Sequence, residues 1–124
     1  MESNHDLKFK RIVRTETAVD NLSVDSAGTL LLAGHPSALE LMKVSKGRPS
    51  CNPGSEIQAE RDACECKAPS WTAQWTEKEG LKTLYKGYDF CTSSTMVRDA
   101  ERGWGMITGL YDRGVMVFRE ARKL

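Results

Sequence analysis

Three side chains that could do chemistry stand at the two ends of one stretch of hydrophobic alternation. Asp20 and Asn21 open, and His35 closes, the run AVDNLSVDSAGTLLLAGHP at residues 18–36. An adjacent carboxylate and amide carry polar oxygens that can accept hydrogen bonds, and an imidazole can donate or accept a proton. The same residue types have a plain structural use, since Asp and Asn favour turns at the start of a strand and a His beside Pro36 suits an exposed loop. A second group is sulfur. Cys51, Cys64 and Cys66 crowd one polar stretch, where a disulfide, inert thiols and a metal site are all open, although Cys-x-Cys without a neighbouring His lacks the paired ligand sets of a zinc site. Cys91 reads as a small strand or core residue. Asp25 and Asp99 read as turn residues accepting backbone N–H groups, Trp71, Trp75 and Trp104 as packing groups in the core or between sheets, and His5-Asp6 as part of an exposed terminus.

The elements that would position these groups are strands. Period-two alternation predicts strands at residues 7–14, 21–25, 29–34, 70–76, 81–86, 94–98, 105–109 and 115–120. Gly- and Asp-containing turns punctuate them at 26–28, 79–80, 102–103 and 112–114. Residues 37–44, SALELMKV, form the one helix candidate, good helix formers after Pro36. Residues 45–69 differ from the rest, rich in Lys, Gly, Pro, Ser, Asn and Cys without apolar periodicity, and read as a surface insertion.

With that insertion set aside, the chain repeats. Strand, Asp turn, Gly, strand and Gly run from Asn21 to Gly34 and again from Thr95 to Gly109, and Asp25 and Asp99 lie 74 positions apart. Without the insertion the repeat is about 50 residues, close to one four-stranded propeller blade. The expected organisation is therefore residues 1–19 as the outer strand of a preceding blade, 20–90 as a blade carrying the insertion 45–69, 91–120 as an incomplete last blade, and 121–124 as a basic, solvated tail.

Composition narrows the function classes. The 124 residues carry a net charge of +1, with 28% charged and 40% apolar side chains, so no electrostatic footprint for nucleic acid stands out. No apolar run approaches the roughly 18 residues of a membrane span, and MESNHDLKFK has no apolar core of the signal-peptide kind. Taken alone that places the chain in the cytosol, whereas the clustered cysteines suit an oxidising compartment.

AVDNLSVDSAGTLLLAGHP resembles the calcium-dependent paraoxonase/arylesterase family, six-bladed propellers of the SMP-30/gluconolactonase superfamily. The likeness lies where a Val-Asp-Asn-hydrophobic-Ser-Val-Asp run leads into a strand ending in Gly-His-Pro. SSTMV and GMITGLYDRGVMVF are similar to that family's C-terminal segments, so the resemblance covers about residues 7–44 and 70–120. It implies an all-β fold, roughly two four-stranded antiparallel blades of a six-bladed β-propeller, open and partial. It also implies Asp20 and Asn21 as calcium ligands, His35 as a pocket residue with a proton-transfer role, and Thr95 as lining a substrate pocket. The implied reaction is hydrolysis of a lactone, aryl ester or phosphotriester, with calcium polarising the reacting oxygen.

The resemblance also implies what the chain does not contain. The family's other calcium ligands and its general-base histidines lie in earlier blades, and two ligands do not satisfy an ion that takes six to eight oxygens. The expected function is a fragment of such a hydrolase, inactive alone and parted from a parent that is secreted or in the secretory pathway, with missing blades or an oligomer partner completing it. Two other readings share the architecture: a non-catalytic propeller module that docks partners on its blade edges, and a strictosidine synthase-like propeller without metal, which leaves Asp20, Asn21 and His35 without a role.

Overall fold

A computed structural model describes residues 7–121. The architecture is all-β, partial and propeller-like: two antiparallel sheets lie side by side, and neither closes on itself. The first sheet runs β1 (Ala18–Val24), β2 (Leu30–His35), β3 (Ser70–Thr76) and β4 (Gly80–Gly87) in sequential order; the second runs β5 (Ser93–Asp99), β6 (Trp104–Gly109) and β7 (Val115–Arg119).

Alternation sends one set of side chains from each strand into the seam between the sheets. Leu31 and Ala33 of β2 meet Met96 of β5 and Ile107 of β6, with Phe90 beside them and Tyr85, Met116 and Phe118 packed around the cluster. The opposite face of the first sheet carries Leu32, Trp71 and Ala73, flanked by Leu30, Trp75 and Leu81. In the second sheet, Phe118 lies over Gly105, where any Cβ would collide with its ring. The predicted turns form as expected: Asp25 Oδ1 accepts the N–H groups of Ala27 and Thr29, and Asp99 Oδ1 accepts those of Glu101 and Arg102.

Four sequence expectations are revised. Residues 7–15 form no strand. They lie against the first sheet, with the Arg11 guanidinium 5.8 Å from the Trp75 ring centroid and 2.8 Å from Glu77, and with Thr83 Oγ1 donating to Glu16. Leu7, Phe9 and Ile12 face solvent, and alternation alone does not make a strand of a segment that pairs with no neighbour. The insertion is also more ordered than a loop. The helix extends over α1 (Ala38–Gly47), capped by Ser37 Oγ, which accepts the Glu40 N–H, and is followed by a 3₁₀ turn (Arg48–Ser50) and a short α2 (Gln58–Asp62). Disulfides Cys51–Cys64 and Cys66–Cys91 supply the cohesion that periodicity lacks there. Cys91 is thus buried, as expected, but as a cystine rather than a simple core residue. Trp104 lies on the open face of the second sheet under Arg119 at 5.2 Å, whereas Trp71 is fully buried. His5-Asp6 and residues 122–124 of the basic tail lie outside the described residues.

Candidate functional site

Asp20 and Asn21 occupy a β-bulge. Val19 pairs with Gly34 and Leu22 with Leu32, so the two residues stand opposite Ala33 alone. A bulge leaves one residue out of the ladder and re-aims its neighbours, which is how two consecutive polar residues fit into a strand otherwise built on alternation. The feature repeats in the second sheet, where Ser93 pairs with Gly109 and Thr95 with Thr108, leaving Ser94 without an opposite residue.

The structure brings the four expected site residues into two pairs. Asp20 Oδ2 lies 3.0 Å from His35 Nε2, and Asn21 Nδ2 donates to Thr95 Oγ1 at 3.0 Å. His35 is not an exposed loop residue: it ends β2 at 8% exposure, and its Nδ1 is enclosed with no hydrogen-bond partner. The imidazole thus meets the Asp20 carboxylate through Nε2, with Nδ1 turned into the protein.

Local packing fixes this placement. A Cβ at Gly34 would collide with the Ala18 carbonyl, so glycine lets β1 approach closely just before the bulge. Below it, the buried Ser93 hydroxyl donates to the Gly34 carbonyl at 2.8 Å and accepts the Trp71 N–H at 3.0 Å, while Ser93 N–H donates to Ser70 Oγ at 3.0 Å. These bonds lock the end of β2, and therefore His35, to the start of β5. Ser23 Oγ donates to the Met96 carbonyl at 2.5 Å, which holds β1 against β5 one turn of the pleat further along.

The far end of the same seam is held by a charge cluster that no sequence spacing indicated. The buried Arg98 guanidinium donates to Asp25 Oδ2 through Nε at 3.0 Å and Nη2 at 2.7 Å, and through Nη1 to Gln74 at 2.8 Å and Glu120 at 2.5 Å. Burial alone would raise the Asp25 carboxyl, but the Arg98 hydrogen bonds and the backbone N–H groups of Thr29 and Ala27 outweigh it and hold it below its ordinary value. Four hydrogen bonds from Arg98 engage the three acceptors of this cluster, so it is a clamp between sheets and not an open site.

As a calcium site the inner edge is partial. Asp20 and the Asn21 carbonyl oxygen are hard donors on adjacent residues, yet among the described residues no three His, Cys, Asp or Glu side chains gather in one place, and calcium takes six to eight oxygens. The described residues bring together only a portion of such a shell. Among the described residues no helix is long and apolar enough to cross a membrane. Comparison with family models, with curated proteins and with solved structures gives no match to this chain.

Proposed function

We propose that the chain forms part of a calcium-dependent hydrolase of lactones, aryl esters or phosphotriesters, contributing one sector of the site and needing further strands around the same axis to complete it. The observation that carries this reading is the Asp20–His35 pair beside the Asn21–Thr95 pair on bulges at the inner edges of two adjacent sheets. Calcium, when bound, supplies a Lewis acid for the reacting carbonyl or phosphoryl oxygen. Asp20 and the Asn21 amide oxygen are the groups that would hold it. His35 keeps the Asp20 carboxylate aimed, and Thr95 steadies Asn21 by accepting its amide N–H, leaving the amide oxygen free to face the ion.

Terbium, a luminescent stand-in for calcium, tests this in the whole chain. Weak binding that calcium displaces and that Asp20→Ala or Asn21→Ala abolishes is the expected result. Binding indifferent to both substitutions would overturn the reading. An interaction-module reading has its own support in the exposed apolar face of the second sheet, formed by Val97, Met106 and Val117.

A further inference from the structure

The 74-residue repeat that relates β1 to β5 extends further back than the strands of the first sheet. The same offset sets Leu7-Lys8 on Leu81-Lys82, and residues 6–13 on β4 (Gly80–Gly87), the outermost strand of the first sheet. The segment 7–14 is thus the sequence equivalent of an outermost strand. It lies beside the first sheet with Phe9 80% and Ile12 65% exposed, and it is in neither of the described sheets.

The second sheet has the complementary deficiency. Among the described residues it ends at β7, with no strand on the far edge, where the first sheet adds β4. A cavity of about 280 Å³ opens where a fourth strand would face β4, lined by Leu84, Tyr85, Met116 and Phe118 among others, and the Oγ1 of Thr72 is buried there without a partner.

Burial at repeat-equivalent positions shows where a neighbour is lacking, which on the outer face of the first sheet is the β1 edge at Leu22 and Val24 and not the centre, where Leu32, Trp71 and Ala73 are already buried. Met96, in the seam between the sheets, is 1% exposed, while Leu22, its equivalent 74 positions earlier, is 57% exposed on the outer face of the first sheet. The register sets Leu22 opposite Leu32 and Met96 opposite Ile107, so the outer face of the first sheet is built like the buried face of the second. On the other side, Val97, Met106 and Val117 form one cross-strand row on the open face of the second sheet, all exposed.

We propose that these surfaces are filled by a second copy of the chain, packed head to tail. The outer face of one copy's first sheet, around Leu22 and Val24, covers the Val97–Met106–Val117 row of its neighbour, and residues 7–14 of the first copy add to the neighbour's β7 as its fourth strand. Every copy then contains two complete four-stranded sheets, and the contact between copies repeats the contact within each one. Such a heterologous contact closes into a ring when the rotation permits, and three copies contribute six sheets. The segment already lies where this requires: Arg11 holds it against Trp75 and Glu77 on the face that meets the neighbour. The seam between copies differs from the internal one in charge. The positions equivalent to Arg98 and Asp25 are Val24 and Asp99, and Asp99 is bonded to Arg102 of its own turn, so association rests on apolar burial and is insensitive to salt. Nothing in this assembly uses the Asp20–His35 site, so it stands or falls separately from the hydrolase reading.

Sedimentation equilibrium of the full chain across a concentration series, with circular dichroism as the folding control, tests it. The expected mass is a multiple of 13.8 kDa, threefold for a six-sheet ring, with little change between low and high salt. Met106→Asp on the open face and Ile12→Pro in the unpaired segment should each return the mass to that of one chain with the β-sheet spectrum intact, since neither side chain is in the core. A wild-type chain that stays monomeric at the highest attainable concentration, its faces left for strands of some other polypeptide, overturns the proposal, as does an oligomer that survives both substitutions.

Discussion

Asn21 and Thr95, which occupy equivalent places in the two sheets 74 residues apart, are bonded directly to each other: the Asn21 amide donates to the Thr95 hydroxyl at 3.0 Å. Each follows the irregular point of its own inner strand, so the repeat brings two bulges together at one edge of the molecule. The contact fixes which face of the Asn21 amide is occupied by its NH₂ group and which is left to its oxygen.

Thr95→Val removes that acceptor while keeping the side-chain shape. The pair is solvent-accessible, so the loss of folding stability should be small, about 0.5 kcal/mol, in chemical denaturation. Terbium affinity should fall several-fold, because the Asn21 oxygen loses its fixed orientation. A substantial stability loss with unchanged ion binding would assign Thr95 a purely structural role.

Arg98→Met should be far more damaging than any substitution at the inner edge. It leaves the buried Asp25 carboxylate without its partner, and breaking a buried ion pair from one side costs about 3 kcal/mol. The guanidinium also bonds Gln74 and Glu120, which joins β3 and the end of β7 to the same point. Urea denaturation of R98M and of Arg98→Lys should show a reduced midpoint in both, since lysine cannot reproduce the forked geometry.

The same clamp makes the fold acid-sensitive in a defined direction. The Asp25 carboxyl is held below its ordinary value, so the stabilisation it gives is fully present above the unfolded value of about 3.9 and is lost as pH falls through its lower folded value. Arg98, shifted upward, stays protonated throughout that window and adds no pH dependence of its own. Thermal melts between neutral pH and pH 3 should therefore show a steeper acid loss for the wild type than for Asp25→Asn, which keeps only the acid dependence of the remaining carboxylates, Asp99 beside Arg102 among them.

Much of this was legible in the alternation of apolar residues, because each strand buries one face and period two is the direct result. Residues 70–76 were placed to the residue, and the other paired strands to within a few residues. The same logic failed at residues 7–14, where the pattern is present but none of the described strands pairs with it. The inner-edge residues Asp20, Asn21, His35 and Thr95 were visible as types, yet their pairing was not, since it depends on bulges that only the register reveals. Arg98 gave no local signal because its acceptor Asp25 is 73 positions away. The crowding of Cys51, Cys64 and Cys66 left a disulfide, inert thiols and a metal all open, and Cys91 read as a core residue, because its pairing with Cys66 depends on β5 beginning beside the insertion.

Gly34→Ala tests how closely β1 must approach β2. The added methyl would meet the Ala18 carbonyl, and relief requires β1 to move away from the position that sets Asp20 beside His35. Overpacking of this kind costs about 1–3 kcal/mol, and a shift of the His35 imidazole resonances in NMR spectra, absent from a distant control such as Gly54→Ala, would report the disturbed pair.

The two disulfides should differ in what they stabilise. Cys51–Cys64 closes 13 positions within the insertion, whereas Cys66–Cys91 closes 25 and joins the insertion to the approach to β5. On loop entropy alone the longer closure gains only about 0.5 kcal/mol over the shorter, but Cys91 also packs in the buried cluster with Val44 and Ala68, next to the Thr92 N–H that donates to the Ala68 carbonyl. Replacing Cys66 and Cys91 together with serine should cost about 3 kcal/mol and raise amide exchange at the start of β5, where Ser93 holds Gly34. Replacing Cys51 and Cys64 should confine increased exchange to residues 48–64 and leave the sheet amides protected. Equal effects on β5 from both double variants would show that the insertion stabilises the sheets as one block rather than through Cys91.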